Sequence, residues 1–387
     1  MAYGIWTMRP VSIVGIGQLP VQKHYPELLR QLGARAVRLA MADAGVDRVD
    51  ALFAGNMLSD ELQSQKHIAA LIADEAGLAG VEALQVRAAT ASGAAALRMA
   101  YFAVSSGEAE LAVAVGVEKM SEGVATPALA KALDSRQEVP TGATLISKNA
   151  ELMQLYQQTY RVPPDGLAHF AVNAHENALT NPNALFHKAI TAVDVMNSRI
   201  VSHPIRLFDC SPICDGAAAV VLAPTEQAGR YSEMPVKILA SSVATDRFRI
   251  ADRREPLVLH AARLAAEKAF QRAGVTRDDV SLFEVHDAFS IMACLLLEAV
   301  GFARPGEGWM MARDGEIGRN GRLPLSTFGG LKARGHPIGA TALYQACEIV
   351  QQLTRRAGLN QIENAQIGLL QSVGGAAVTV LTHVFGV

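Results

Sequence analysis

Two short turns carry the side chains best suited to chemistry. Thr90 stands in RAATASGAAALRMA, residues 87–100, and His336 stands in GGLKARGHPIGATALYQA, residues 329–346. In each segment the turn leads into a run of small residues that is typical of the start of a helix. The free N–H groups and the positive dipole at a helix N-terminus stabilise an oxyanion or a phosphate. Both turns are therefore candidate elements of a functional site.

Three polar side chains differ in how strongly their surroundings indicate function. His336 lies between Gly335 and Pro337, where folding has no need of an imidazole, so we expect a functional role. His286 follows an apolar run in EVHDAFS and is either a site residue or a hydrogen-bonded core histidine. Ser372 is either a reactive hydroxyl or simply a small residue that suits a tight turn.

An internal repeat indicates which elements position these residues. AGVDRVDALF, residues 44–53, recurs as AGVTRDDVSLF, residues 273–283, and each copy follows a stretch with helical spacing of apolar residues. The Ala-Gly pair supplies a helix stop, because glycine adopts a left-handed conformation at low cost. The repeated unit is therefore a helix, a glycine stop, a polar turn and a strand.

More of the two halves corresponds in the same order. Nearly continuous apolar runs indicate strands buried on both faces, and their alternation with helices indicates βαβ units. These runs are VSIVGIG (11–17), ELAVAVGVEKM (110–120), VKILASSVA (236–244) and QIGLLQSVGG (366–375). The chain is therefore predicted to be a duplicated α/β fold. The intervening stretch 121–203 reads as an insertion, and long insertions tend to cover functional sites.

Composition limits the classes of partner and compartment. The chain has 387 residues, half of them hydrophobic, and a net charge of -2, so neither nucleic acid nor an acidic membrane is an expected partner. Four cysteines without a CxxC pair favour a reducing compartment and argue against a zinc site. We find neither a signal peptide nor an apolar run long enough to span a membrane, and we expect a cytoplasmic protein.

Four motifs together resemble the thiolase superfamily over nearly the whole chain. They are HENALTNPNALF (175–186), CSPICDGAAAVVLAP (210–224), EVHDAFS (284–290) and GGLKARGHPIGATALYQA (329–346). The resemblance is to the sterol-carrier-protein-type and archaeal branch. It implies two βαβαβαββ halves, residues 1–228 and 229–387, packed in five αβαβα layers, with a loop domain inserted at about 121–203. It also implies a homodimer or a tetramer.

The resemblance assigns roles to individual positions. Thr90 stands where the family has its nucleophilic cysteine, and His336 corresponds to the histidine that activates it. His286 would orient a water or a substrate oxygen, while the N–H of Gly374 would help to form an oxyanion hole. A second family cysteine lies at one of two places, which Ala288 and Ser372 occupy here. Neither catalytic sulfur is present, so Thr90, His286, His336, Gly374 and Ser372 are the predicted site residues.

Loss of the thiol leaves three hypotheses for function. A thiol has a pKa of about 8.5, whereas an alcohol must be deprotonated during attack, so acyl transfer through threonine should be slow. The first hypothesis is acyl transfer with Claisen-type C–C bond formation or cleavage on a CoA thioester. The second is a non-covalent retro-aldol lyase acting on a β-hydroxyacyl-CoA. The third is a catalytically silent acyl-CoA-binding or scaffold subunit.

The resemblance also sets expectations for ligands and partners. Coenzyme A thioester is expected as a substrate, with no tightly bound cofactor and no metal. Archaeal thiolases assemble with a small OB-fold protein, which makes such a protein a candidate partner.

Overall fold

Apolar runs become strands and amphipathic runs become helices in the first half. The computed structural model describes residues 8–387. The elements before the insertion are β1 (Val11–Gln18), α1 (Leu29–Asp43), β2 (Ala51–Gly55), α2 (Ser59–Leu62), α3 (Ile68–Ala76), β3 (Glu82–Val86), α4 (Ser92–Ser106) and β4 (Ala112–Lys119).

A mostly helical excursion separates β4 from the last strand of this half. Its elements are α5 (Ala125–Ala130), α6 (Leu145–Tyr160), α7 (Ala168–Ala178), α8 (Ala192–Asn197), β5 (Ile200–Ser202) and β6 (Ile205–Arg206). The chain then returns as β7 (Asp215–Pro224), antiparallel to β4. Lys119 pairs with Asp215, so the two ends of the excursion meet on neighbouring strands.

The second half repeats the order of the first. Its elements are β8 (Val236–Thr245), α9 (His260–Ala273), β9 (Leu282–Glu284), α10 (Ser290–Val300), α11 (Gly308–Arg313), α12 (Thr341–Leu353), β10 (Ile367–Gly374) and β11 (Thr379–Gly386). A turn of π-helix at Gly330–Arg334 precedes α12. The resemblance implies five strands in this half, and in place of the fifth a single parallel bridge joins Leu325 to Phe283.

The strands form one nine-stranded sheet in the order β3-β2-β4-β7-β1-β8-β11-β10-β9. The two halves have matching strand orders and join where β1 pairs antiparallel with β8. This joint is short, because only Ser12 and Ile13 pair with Lys237 and Val236.

Helices complete five layers around the two halves of the sheet. Helices α1 and α3 cover one face of the first half, and α9 covers a face of the second. Between the halves, α4 and α12 pack on each other; α4 lies mainly on β2 and β4, and α12 contacts strands of both halves. Every residue of α12 except Gln351 is buried, as its central position requires. The duplicated five-layered α/β architecture that the resemblance implies is confirmed.

The predicted glycine stops of the repeat have the expected geometry. Gly45 has φ of 65° and Gly274 has φ of 67°, both left-handed, and each follows the C-terminal end of its helix.

No helix between residues 8 and 387 is long and apolar enough to cross a lipid bilayer. Over the same residues, no three His, Cys, Asp or Glu side chains converge in a way that could hold a metal ion.

Candidate active site

A cavity of about 320 Å³ brings residues of both halves and the excursion together. Thr90, His286 and His336 all line it, and each is at least 95% buried. Most of the remaining wall is apolar, and its side chains include Met120, Leu129, Leu145, Ile146, Val201, Leu207, Pro212, Ile213, Phe289, Met292 and Ile338. In the described part of the chain, no carboxylate lines this cavity. The mostly apolar wall therefore suits an acyl group, and Arg199 adds a positive charge to it.

The Thr90 hydroxyl is held by the turn after β10. Its Oγ1 donates to the carbonyl of Val373 at 2.6 Å and accepts the N–H of Gly375 at 3.2 Å. The hydroxyl proton is thus directed at a backbone carbonyl and not at an imidazole. A nucleophilic threonine needs a base at that proton.

The chain bends sharply just before Thr90. Ala89 has φ of 49°, a left-handed conformation that is costly for a residue with a Cβ. The Ser92 hydroxyl stabilises the bend, since it donates to the Ala89 carbonyl at 2.7 Å and accepts the Ala88 N–H at 3.1 Å. Helix α4 begins at Ser92, so Thr90 stands at the helix N-terminus as its sequence predicts.

Hydrogen bonding determines which nitrogen of His336 is basic. Its Nδ1 lies 2.6 Å from Oγ1 of Thr341, and that hydroxyl lies 3.2 Å from the Pro337 carbonyl. If Thr341 donates to this carbonyl, it accepts the proton of Nδ1, and Nε2 keeps its lone pair. Sequence reasoning did not identify Thr341, although it lies within the recognised motif.

The two imidazoles form an edge-to-face pair. The ring centroids of His286 and His336 are 5.1 Å apart, with an interplanar angle of 87°. Burial lowers the pKa of His286 to about 3, and burial followed by the neighbouring His286 lowers the pKa of His336 well below its usual value. Both rings are therefore neutral at pH 7 and can accept a proton during a reaction.

Gly374 and Ser372 occupy different surroundings from the three cavity residues. Gly374 ends β10, and its neighbours Val373 and Gly375 line the cavity. Ser372 is fully buried, does not line the cavity, and its Oγ has no hydrogen-bond partner among the described residues. The structure thus brings Thr90, His286 and His336 together and leaves Ser372 outside.

A buried glutamate fixes the loop that carries His336. Glu118 accepts the N–H groups of Met57, Leu58 and Gly339 at 2.9 to 3.0 Å, and the side-chain amide of Asn56 at 2.8 Å. Burial raises the pKa of Glu118 to about 7, against the lowering effect of the three backbone donors. The glutamate of VEKM carries no recognisable signal in the sequence, because its link to residue 339 is made only in the fold.

Buried charges also brace the wall behind His286. The carboxylate of Asp287 accepts the Leu331 N–H at 2.7 Å, and Nζ of Lys332 donates to the Asp209 carbonyl at 2.5 Å. Burial raises the pKa of Asp287 and lowers that of Lys332, while their mutual attraction opposes both effects. These contacts tie the turn at 330–334 to the cavity wall.

Cysteines and Tyr344 contribute less to chemistry. Cys210 lines the cavity, but burial raises the pKa of its thiol to about 11, which leaves little thiolate at pH 7. Cys214 lies outside the cavity and accepts the backbone N–H of His336 at 3.2 Å. Tyr344 is fully buried, and its hydroxyl donates to the Leu19 carbonyl, so it packs beneath the site.

Comparisons with known proteins agree with the motifs. Two family models match, one described as the thiolase N-terminal domain at residues 12–203 and one as thiolase C-terminal domain-like at residues 242–387. The chain is 42% identical to an acetyl-CoA acetyltransferase of Methanothermobacter thermautotrophicus, covering 98% of this chain and 100% of that protein. It is 29% identical to sterol carrier protein 2 of Gallus gallus, covering 98% of this chain and 72% of that protein.

A solved structure of the Ltp2-ChsH2(DUF35) aldolase is similar with a TM-score of 0.85 and 24% identity, covering 97% of each chain. At that identity the likeness concerns the fold. The sequence matches confirm the resemblance that the motifs indicate.

Proposed function

This chain belongs to the thiolase family, and from that premise we propose that it breaks or forms a carbon–carbon bond beside the thioester carbonyl of a CoA substrate. The observation that carries the proposal is the pair of neutral imidazoles, His286 and His336, in one apolar cavity with Thr90. A neutral imidazole can take a proton from a substrate and return it, and nearby N–H groups can stabilise an enolate. Neither step requires a sulfur.

The hydrogen bonds of Thr90 favour the non-covalent lyase over acyl transfer. Its hydroxyl proton is directed at the Val373 carbonyl, so no imidazole is placed to remove it. In the proposed reaction, Nε2 of His336 takes the proton of a β-hydroxyl group, and the Cα–Cβ bond breaks. The carbon bearing the hydroxyl leaves as an aldehyde or ketone, while the bonding electrons form the enolate of a shortened acyl-CoA. The imidazolium then returns its proton to Cα, so no other reactant is consumed.

Acyl transfer remains the second candidate, because the relatives named acetyl-CoA acetyltransferase support it. In this version a rotation of the Thr90 side chain would turn its hydroxyl from Val373 towards His336. The acylated threonine would be an oxygen ester, which is a weaker acyl donor than the thioester of a cysteine.

One experiment separates these candidates. The native chain and a Thr90→Cys variant are each incubated with acetyl-CoA and with a β-hydroxyacyl-CoA, and the protein mass and the products are measured. Cleavage of the β-hydroxyacyl-CoA without a change in protein mass supports the lyase. An acyl mark on residue 90 of the native chain supports acyl transfer. Binding of both thioesters with neither outcome would leave a silent acyl-CoA-binding subunit.

We extend the proposal to assembly. The similar aldolase carries a DUF35 protein in its name, which supports a small partner protein for this chain. The edge strand β3 supports a homodimer or a tetramer, since its outer side has no strand partner within the described residues. Co-purification with a candidate small partner, followed by mass measurement of the complex, tests the first part.

A further inference from the structure

A buried guanidinium lies behind the turn that contacts Thr90. The side chain of Arg253 is 1% exposed. Its Nη2 donates to the carbonyl of Ala376 at 2.7 Å, and its Nε donates to the carbonyl of Arg247 at 3.2 Å. One rigid, planar group therefore joins the segment after β8 to the turn between β10 and β11.

That turn needs an external restraint. Gly375 has φ of 64° and Ala377 has φ of 59°, so two of its residues are left-handed and one of them has a Cβ. Such conformations persist only where the surroundings hold them. Besides the guanidinium, the backbone N–H of Asp246 donates to the Val378 carbonyl at 2.8 Å, on the far side of the turn.

The front of the same turn faces the site. The Gly375 N–H reaches the oxygen of Thr90, and one residue further along the chain the Ala376 carbonyl receives the guanidinium. Since the two contacts lie on adjacent residues, a change at Ala376 alters the direction of the Gly375 N–H. The N–H is useful to an anion only while it points at that oxygen.

The charges around the guanidinium are few. Asp246 lies 3.7 Å from Nε, and Glu138 in the excursion attracts the guanidinium over a longer distance. Nη1 has no partner in the part of the chain that the structure describes. A guanidinium stays charged when buried, and this one is only partly compensated by its two carbonyls and the nearby carboxylate, so its burial is costly.

We propose that Arg253 is a positioning residue that holds the turn at 374–377 so that the Gly375 N–H points at Oγ1 of Thr90. Nothing in this role requires a particular substrate. Removal of Arg253 should misalign this N–H, and a thiolate introduced at residue 90 should then be less stabilised, while the cavity still admits ligands.

The reactivity of a thiol introduced at residue 90 measures this stabilisation without any turnover. In a Thr90→Cys background, the rate of alkylation by iodoacetamide is followed at residue 90 by peptide mass spectrometry from pH 6 to pH 10. The variants Arg253→Met and Arg253→Lys are compared with Arg254→Met, which removes the neighbouring, exposed arginine and so matches the change in net charge.

Arg253→Met should lower the alkylation rate at pH 7 about ten-fold and shift the pH profile of the rate to higher pH. The reason is that the Gly375 N–H no longer donates a hydrogen bond to the thiolate. Arg254→Met should leave both unchanged. Arg253→Lys should give an intermediate rate, since an ammonium cannot hold two carbonyls in the planar geometry of a guanidinium. Melting temperatures identify any variant that fails to fold.

Two results would overturn the proposal. One is an unchanged pH profile in Arg253→Met despite a lower melting temperature, which would mean a purely structural arginine. The other is full reactivity in Arg253→Lys, which would assign the effect to charge alone. Because alkylation needs no acyl-CoA, either result leaves the proposed reaction to be judged by its own assay.

Discussion

Both hydrogen-bonding roles of the Thr90 hydroxyl are filled by one turn. The donor role goes to the Val373 carbonyl and an acceptor role goes to the Gly375 N–H. A thiolate at the same place would keep the N–H and have no proton to give, which is the arrangement an anionic nucleophile needs. The oxygen therefore serves as a link between α4 and β10 in the structure, and the two imidazoles are left as the groups able to move protons.

The different roles of Thr90 and His336 predict losses of different size for their variants. Thr90→Val keeps the shape of the side chain, so cleavage of a β-hydroxyacyl-CoA should stay within about ten-fold of the native rate. His336→Ala removes the proposed base and should lower the rate about 100-fold or more. Steady-state assays of the released acyl-CoA check both values. An equal loss in the two variants would contradict the non-covalent reaction.

Glu118 predicts a pH dependence of stability. Its pKa of about 7 in the fold lies above the ordinary value of 4.5, so its protonated form is favoured by folding. This contribution is complete below pH about 4.5 and is lost as the pH rises through about 7, with a total on the order of 3 kcal/mol.

Urea unfolding at several pH values checks the effect of Glu118. Glu118→Gln should lower stability at every pH, because its amide N–H₂ would face the two N–H donors that one carboxylate oxygen accepts. The variant should also lose less stability than the native chain between pH 5 and pH 8. If the free energy of unfolding falls equally with pH in the two proteins, a raised pKa of Glu118 is contradicted.

At the scale of elements, close backbone contacts at four glycines bring the two reactive turns together. A Cβ at Gly93 would lie 2.5 Å from the Gly339 carbonyl oxygen, and one at Gly339 would lie 2.6 Å from the Gly55 carbonyl oxygen. A Cβ at Gly116 would overlap the Gly339 carbonyl. Strands β2 and β4, helix α4 and the loop of His336 thus meet without intervening side chains.

Gly116→Ala should therefore destabilise the protein by about 1–3 kcal/mol, because backbone must move to admit the methyl group. The loop of His336 would move with it and activity should fall. Gly229→Ala is the matched control, since a Cβ there meets open space and its stability should change by less than about 0.5 kcal/mol. Equal melting temperatures for the two variants would show that the junction can relax.

Strands and helix ends were predictable from the sequence where an apolar run or the internal repeat marks them. The strands β1, β4, β8 and β10 and both glycine stops were predicted from apolar runs and the repeat. Contacts between distant segments were not predictable in this way, because the Arg253 guanidinium meets Ala376 across 123 residues of chain. The fifth strand that the resemblance implies for the second half is reduced to a single bridge at Leu325, which the apolar runs did not indicate.

For the whole molecule, the repeat and the motifs predicted the fold and the three residues that share a cavity. The insertion was predicted to cover a functional site, but its wall residues were not, because they come from α5, α6, β5 and the loops between them and converge only in the fold. The two-residue joint between β1 and β8 leaves no pattern either. Sequence patterns therefore predict the layers of strands and helices, whereas the shape of the cavity depends on how distant segments pack against each other.

Assembly gives a prediction at the same scale. Leu84 in the edge strand β3 is 51% exposed, and an unpaired edge with an apolar side chain is a place where another copy can bind. Leu84→Arg should convert the proposed dimer into monomers in size-exclusion chromatography with light scattering. Leu359→Arg is the control, because Leu359 is 81% exposed and lies in a short 3-10 helix and not in a strand. A dimer that survives Leu84→Arg would exclude β3 from the interface.

Because Lys119 pairs with Asp215, the region between them begins and ends at neighbouring positions of the sheet and can be exchanged as one unit. Partners across an antiparallel ladder lie only about 5 Å apart, so strands β4 and β7 fix both ends of the excursion whatever its sequence is. Grafting the corresponding region of a relative onto this body would change the wall that faces the acyl group together with Asp209 and Cys214, which contact Lys332 and the backbone of His336. Selectivity can therefore change without loss of reactivity only where those two contacts are kept.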